Sequence, residues 1–449
     1  MRALAAERTP PTDRRPRLAS SMVVASPIPE LAPVVRAMRP SASDMQKRDT
    51  TCAMLRLPDT RGPASQGTDG SSRGRIRVAW LGHHPDGAGD GLTTYSREMT
   101  RGLAARDLEV VFFHHDRTRD LDGSVALNAW RVFDRLTVER AGSRRRLERA
   151  LREHEVDVVH VSLLFSNLAL DVPRVCRQLG VPAVATLHAP FDVRNTWWGG
   201  LSRVLYRLYA RPLAAYDRVI VFGDAQRRLL VDMGVSADAL AVIPNGVDVQ
   251  SWSPGRSTVR QRFGGDRLFT FMGRLGAEKN VDKLLQAFRD VDAHGVRLLV
   301  VGGGKERARL ERRYASERIA FLGDVRHHQE RVAILRASDA FFLPSLIEGL
   351  SLALLEAMAC GTAVAATDVG VHGDVLRGAG IVIDPMRVEA DLRLAIRTLA
   401  DAPHLCRVLG RRARRRVVDQ YSLEANLDRV VSLYESIVQA PGAALATGA

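Results

Sequence analysis

Two glutamates with seven residues between them carry the sharpest chemical signal in the chain. Residues 344–361 read PSLIEGLSLALLEAMACG, placing Glu348 and Glu356 in an otherwise apolar segment where a strand ends and a helix begins. Glu348 falls in the loop, Gly349 allows a close backbone approach, and the amides of Leu350, Ser351 and Leu352, free at a helix start, can face an anion or sugar hydroxyls. Glu356 lies about a turn and a half further on and reaches a second part of the same ligand. The plainer alternative is a capped buried helix with two incidental acids, but acids in so apolar a segment are costly to bury without partners. A second strand-to-helix loop, residues 272–280, holds Gly273, Arg274 and Lys279. Only four of the 65 basic residues are lysines. A lysine at 279 beside an arginine at 274 therefore suggests a point charge and a planar fork sharing a phosphate.

Weaker signals surround these. His188 follows the strand 182–187, on the side that faces a cleft. The loop Gly87-Ala88-Gly89-Asp90-Gly91 precedes a helix and reads equally as an anion cradle or a tight turn. Gly302-Gly303-Gly304-Lys305 lacks both GxGxxG and GxxxxGK[ST], which disfavours nicotinamide or ATP. The doublets His83-His84, His114-His115 and His327-His328 cannot readily share one metal, because neighbours on a strand point to opposite faces. Asp120-Leu121-Asp122 and Asp290-Val291-Asp292 read as solvated loops, so no metal site is expected.

The elements that position these residues alternate short apolar runs with amphipathic windows, the pattern of parallel α/β sheets. Strands are expected at 76–81, 109–114, 157–162, 182–187 and 218–222, with a helix over 93–105. After the turn signal Pro244-Asn245-Gly246 the alternation restarts, with strands at 268–272, 296–301, 318–322, 339–343, 362–366 and 380–384 and helices at about 281–291, 306–315, 328–336 and 351–360. Two doubly wound domains, 75–248 and 249–420, then face a central cleft at the carboxyl ends of their strands. Residues 421–449 form a C-terminal helix and tail.

At 449 residues with 46% hydrophobic and 26% charged content, the bulk of the chain folds as globular protein. Four scattered cysteines without CxxC speak against a disulfide framework and for a cytoplasmic setting. No apolar run of about 18 residues is present to span a membrane. The net charge of +14 divides unevenly: residues 1–75 hold 13 basic and 7 acidic residues, leaving 52 against 44 in the rest. That balance suits an anionic partner, but no basic cluster interleaved with aromatics points to nucleic acid. Residues 1–74 carry nine of the twenty prolines and no periodicity. They read as a disordered extension, or as translation from a start upstream of a true one near Arg75.

Taken together, these residues resemble the retaining glycosyltransferases of family 4, which have the two-domain GT-B fold. The likeness spans about residues 75–440. It rests on the Glu348 to Glu356 spacing, the Gly273-Arg274 to Lys279 motif, residues 244–248 (PNGVD) and the strand-end His188. The resemblance implies a nucleotide-sugar donor (a UDP- or GDP-sugar) as co-substrate in the C-terminal domain and a hydroxyl acceptor, a glycolipid or glycan precursor, in the N-terminal one. It places Glu348 and the amides at Gly349, Leu350, Ser351 and Leu352 on the donor sugar, Glu356 on the ribose, and Arg274 with Lys279 and Gly273 on the diphosphate. Gly302, Gly303 and Val325 line the base, His188 lies near the transferred sugar, and Gly89, Asp90 and Gly91 form the acceptor-side loop. Asp90 departs from the family's paired glycines and opposes a phosphate-bearing acceptor. The implied mechanism is same-face substitution, hexosyl transfer without a metal or another cofactor, the two cations stabilising the leaving diphosphate. A nucleotide-sugar epimerase and a non-catalytic nucleotide-sugar binder are the rival readings.

One further segment bears on location. Residues 197–211 place Trp197 and Trp198 ahead of Arg203, Arg207 and Arg211, which recur every four residues, with Leu201, Val204, Leu205 and Leu208 as an apolar face. Two readings stay open. One is a core-packed helix with a solvated arginine edge. The other is an interfacial helix resting on an anionic membrane and serving a lipid-linked acceptor, with the basic stretch 144–149 assisting.

Overall fold

The computed structural model describes residues 75–82, 91–114, 124–127, 129–132, 136–139, 142–163, 168–191 and 197–439. In the first half the order is β1 (Arg77–Leu81), α1 (Gly91–Ala104), β2 (Glu109–His114), β3 (Ser124–Ala126), β4 (Ala129–Val132), β5 (Leu136–Glu139), α2 (Ser143–Glu153) and β6 (Val158–Leu163). There follow α3 (Leu168–Leu179), β7 (Ala183–Leu187), α4 (Trp197–Leu213), β8 (Arg218–Val221), α5 (Asp224–Val231) and β9 (Leu240–Val242). The second half runs α6 (Val259–Phe263), β10 (Arg267–Met272), α7 (Val281–Asp290), β11 (Val296–Val301), α8 (Arg307–Tyr314), β12 (Ile319–Gly323), α9 (His328–Ala337) and β13 (Ala340–Leu343). It continues with α10 (Leu352–Ala359), β14 (Ala363–Thr367), α11 (His372–Leu376), β15 (Ile381–Ile383), α12 (Val388–Asp401), α13 (Pro403–Gln420) and α14 (Leu423–Val438).

Seven parallel strands form the first sheet in the order β3-β2-β1-β6-β7-β8-β9, and six form the second in the order β12-β11-β10-β13-β14-β15. Strands such as AFFL of β13 and AVAAT of β14 are buried along their whole length, as expected of sheets covered by helices on both faces. The fold is α/β with two doubly wound domains. In the second sheet the chain winds outward from β10 to β12 and then restarts on the other side of β10 with β13. Ligand crevices open at such a reversal, beyond the carboxyl ends of the strands. The loops leaving β10 and β13 are those that carry Arg274 to Lys279 and Glu348.

Two features lie beyond the periodicity of the sequence. The hairpin β4–β5 stands outside both large sheets. The last helix, α14, returns to the first domain: Leu427, Val430, Tyr434 and Ile437 share a core with Val78, Trp80, Met99 and Leu103. Gly102 permits this docking, since a Cβ there would lie 2.3 Å from Leu427 Cδ1. Buried His160 joins the two parts, bonding Tyr434 Oη at 2.5 Å and Thr186 Oγ1 at 2.8 Å, and burial pushes its pKa down to about 3.

Candidate active site

The backbone at the carboxyl edge of the second sheet is drawn tight by glycines. Gly273 donates its N–H to Val301 O at 2.9 Å, Leu275 N–H bonds Gly303 O at 2.7 Å, and Gly302 N–H bonds Gly323 O at 2.7 Å. The loops after β10, β11 and β12 are thereby stapled side by side. Gly302 makes this possible: its φ is +134°, and a Cβ would sit 1.9 Å from Gly273 O. Val325, half-buried, follows in the β12 loop.

Lys279 ends a short 3₁₀ turn (Ala277–Lys279) and donates from Nζ to Glu348 Oε1, bridging the β10 and β13 loops. Ser345 Oγ donates to the same oxygen at 2.8 Å. Burial alone would push the Glu348 carboxyl up. The nearby charge of Lys279, with the Lys279 and Ser345 hydrogen bonds, overcomes it and holds the pKa below the usual value. Arg274 reaches Glu278, so each cation is engaged by its own carboxylate. Glu356, on α10, is buried and accepts from Arg331 Nη2 at 2.6 Å.

Around Glu348 the packing leaves little backbone freedom. Phe191 N–H donates to Glu348 O at 3.1 Å, so the loop after β7 in the first domain touches this site directly. Gly349 packs against Phe222, and Val371 N–H bonds Gly349 O at 3.1 Å. Asn245 Nδ2 donates to Leu350 O at 3.1 Å. The Ser351 N–H was expected to be free, and here a correction is needed: it donates to His372 Nε2 at 3.3 Å. Burial lowers the His372 pKa to about 4, so its neutral ring can accept. Leu352 begins α10 as expected.

His188 sits just past β7, half-buried, its ring 4.5 Å from that of Tyr95 and 5.2 Å from that of Phe222, both edge-on. The structure thus brings His188, Glu348, Gly349 and Lys279 to one junction of the two domains. Gly91 opens α1, two residues ahead of the expected start, while Gly89 and Asp90 lie outside the described residues. Sequence reasoning missed Arg331, Ser345, His372 and Phe222. Ser345 stands in the Glu348 segment but was given no role there, while Arg331, His372 and Phe222 stand in no motif and reach the site only through the tertiary fold.

Known proteins share this two-domain architecture. A family model described as Glycosyltransferase Family 4 matches residues 89–251, and one described as Glycosyl transferases group 1 matches residues 257–416. Glycogen synthase of Mycobacterium tuberculosis is 27% identical over 372 residues, covering 80% of this chain and 86% of that protein. The GDP-mannose-dependent alpha-(1-6)-phosphatidylinositol dimannoside mannosyltransferase of the same organism is 30% identical over 294 residues, covering 64% and 69%. Anabaena HepE, solved in complex with UDP-glucose, superposes with a TM-score of 0.65 at 16% identity, covering 81% of this chain and 100% of that one. With the two models matched in tandem, one on each doubly wound domain, the chain belongs to glycosyltransferase family 4 and has the GT-B fold.

Proposed function

We propose that this glycosyltransferase moves a hexosyl unit from a UDP- or GDP-sugar to a hydroxyl acceptor with retention of anomeric configuration and without a metal. The observation that carries this reading is the Lys279–Glu348 pair, held at the reversal point of the donor-side sheet and touched by the Phe191 loop of the other domain. In this reading a diphosphate draws Lys279 and Arg274 toward it, and their fixed charges stabilise the leaving group. Glu348 and the amides of Gly349, Leu350 and Leu352 hold the sugar, with Ser351 contributing through α10 rather than through its own N–H. Glu356 takes the ribose hydroxyls, and Gly302, Gly303 and Val325 line the base. His188 lies beside the transferred sugar, and the departing phosphate oxygen helps deprotonate the acceptor hydroxyl on the same face. The loop that includes Gly89, Asp90 and Gly91 meets the acceptor. A screen of UDP- and GDP-sugars with and without glycan or lipid-linked acceptors tests it. Nucleoside diphosphate release only when an acceptor is present supports transfer; isomerisation of the sugar without acceptor would point to an epimerase, and binding without turnover to a non-catalytic protein.

The same reading extends to location: α4 is proposed to rest on an anionic membrane surface. Its packing is done by Ser202, Tyr206, Ala210 and Leu213, which are buried. The stripe Leu201, Val204 and Leu208, at i, i+3 and i+7, points to solvent, with Val204 59% and Leu208 66% exposed. Leu201, Val204 and Leu208 are thus not core residues, whereas Leu205 is half-buried and the helix packs on the core through its other face. Arg203, Arg207 and Arg211 are exposed alongside, and α2, bearing exposed Arg145, Arg146 and Arg149, packs on α3, which packs on α4. Among the described residues no helix is long and apolar enough to cross a membrane. Each basic residue near an anionic surface contributes about 1 kcal/mol. Sedimentation with anionic liposomes at low salt should carry the protein down, and Val204→Asp with Leu208→Asp should leave it in the supernatant. Equal behaviour with neutral and anionic vesicles would remove this part of the proposal.

A further inference from the structure

The donor-side helix α9 turns mostly apolar residues inward, with Val332, Ile334, Leu335 and Ala337 buried. Arg331 breaks that pattern. Its Nη2 donates to Glu356 Oε2 at 2.6 Å, the arginine side chain being 27% exposed and the glutamate 4%. Its guanidinium carbon lies 5.1 Å from the centroid of the Trp252 ring, a contact in the range of a cation–π interaction. Trp252 is itself anchored: it is buried, His328 meets its ring edge-on at 4.6 Å, and its carbonyl accepts from Arg414 at 2.9 Å. An ion pair this deep is a poor stability device, since apolar residues of like volume do as well or better. Its position beside the donor site supplies a different reason for it.

We propose that Arg331 is a positioning residue for the donor: clamped by Trp252, it fixes one oxygen of Glu356, leaving Oε1 to accept from the ribose hydroxyls. This rests on the assignment of Glu356 to the ribose made above. Electrostatics support it. Burial pushes the Glu356 carboxyl up, and only Arg331 opposes this. The Cys360 thiol one turn further along is neutral, its pKa pushed up to about 12. Without Arg331 the carboxyl would hold its proton to higher pH and lose half its capacity to accept.

The test is calorimetric binding of UDP and GDP, with donor KM and kcat measured alongside. Arg331→Gln should weaken whichever nucleotide the wild type binds by about 10- to 100-fold, the usual cost of losing a partner that orients a ligand-holding group. KM for the donor should rise with kcat nearly unchanged. The loss should deepen as pH is lowered, because burial already raises the Glu356 carboxyl and Arg331 is the group that opposes the rise. Arg331→Lys, which keeps the charge but not the planar stack, should recover part of the affinity, and it carries the test if Arg331→Gln does not fold. Wild-type affinity in both variants while Glu356→Gln binds weakly would overturn the role of Arg331 and leave the donor site standing. Wild-type affinity in Glu356→Gln would instead remove the ribose assignment, and this inference with it.

Discussion

Replacing Lys279 by alanine separates two things that the ammonium does. In the folded protein it neutralises Glu348 in a pair whose side chains are only 17% and 14% exposed. Removing one partner of a buried pair costs about 3–5 kcal/mol, and the remaining Ser345 bond at 2.8 Å argues for the lower end, about 3 kcal/mol. For a unit of this size that lowers Tm by about 6–12 °C. The sign with pH follows from Glu348. In the wild type its pKa lies below the unfolded value, so its contribution is present above that value and is lost as pH falls. In Lys279→Ala the pKa rises, so the deficit against wild type is largest near pH 8 and shrinks toward pH 4. In catalysis the same change removes a fixed cation from the diphosphate and should cost about 10²- to 10³-fold in turnover. The double variant Lys279→Ala with Glu348→Gln distinguishes the two roles. With no buried charge left unpaired, it should melt near wild type, while turnover stays at or below the single-variant level. Scanning calorimetry and initial rates on the four proteins complete the cycle. Near-normal turnover in Lys279→Ala, or a double variant no more stable than the single, would refute the reasoning.

Further outcomes follow from other sites. Burial, and then the charge of Glu356, push the Glu98 carboxyl up to about 7, so the folded state resists its ionisation. Stability is therefore lost as pH rises from about 4 to about 7, and Glu98→Gln should be more stable than wild type by about 3 kcal/mol at pH 8 and equal to it at pH 4, by denaturant melts at both. Gly302→Ala should cost on the order of 3 kcal/mol and abolish nucleotide binding, because its Cβ collides with Gly273 O. Gly378→Ala, also at positive φ (+75°) but with nothing within 4 Å, should cost only about 1–2 kcal/mol and leave nucleotide affinity unchanged.

Strand and helix positions were legible because burial on both faces of a parallel sheet leaves a continuous apolar run, as in β11, whose bounds fall where the sequence places them. Helix α4 shows the limit of periodicity. Its apolar stripe is plain in the sequence, but the direction in which it points is set by Tyr206, whose hydroxyl donates to Ala189 O at 2.6 Å and turns the opposite face inward. The acids Glu348 and Glu356 were visible as residues too costly to bury alone, and both have partners. The identity of those partners was not visible: Lys279 and Arg331 lie 69 and 25 residues away in the chain. The docking of α14 on the first domain joins Tyr434 to His160 across 274 residues, a distance no local pattern encodes.

The central claim is transfer from a nucleotide sugar on one face of the sugar ring, with Glu348 and Lys279 holding the donor. Proton NMR of the first-formed product tests it most directly, since the coupling at the anomeric carbon reports configuration before any later rearrangement. An α-linked donor should give an α-linked product with one nucleoside diphosphate released per bond formed, and both signals should vanish together in Glu348→Gln. A β-linked product, or undiminished transfer in Glu348→Gln, would contradict it.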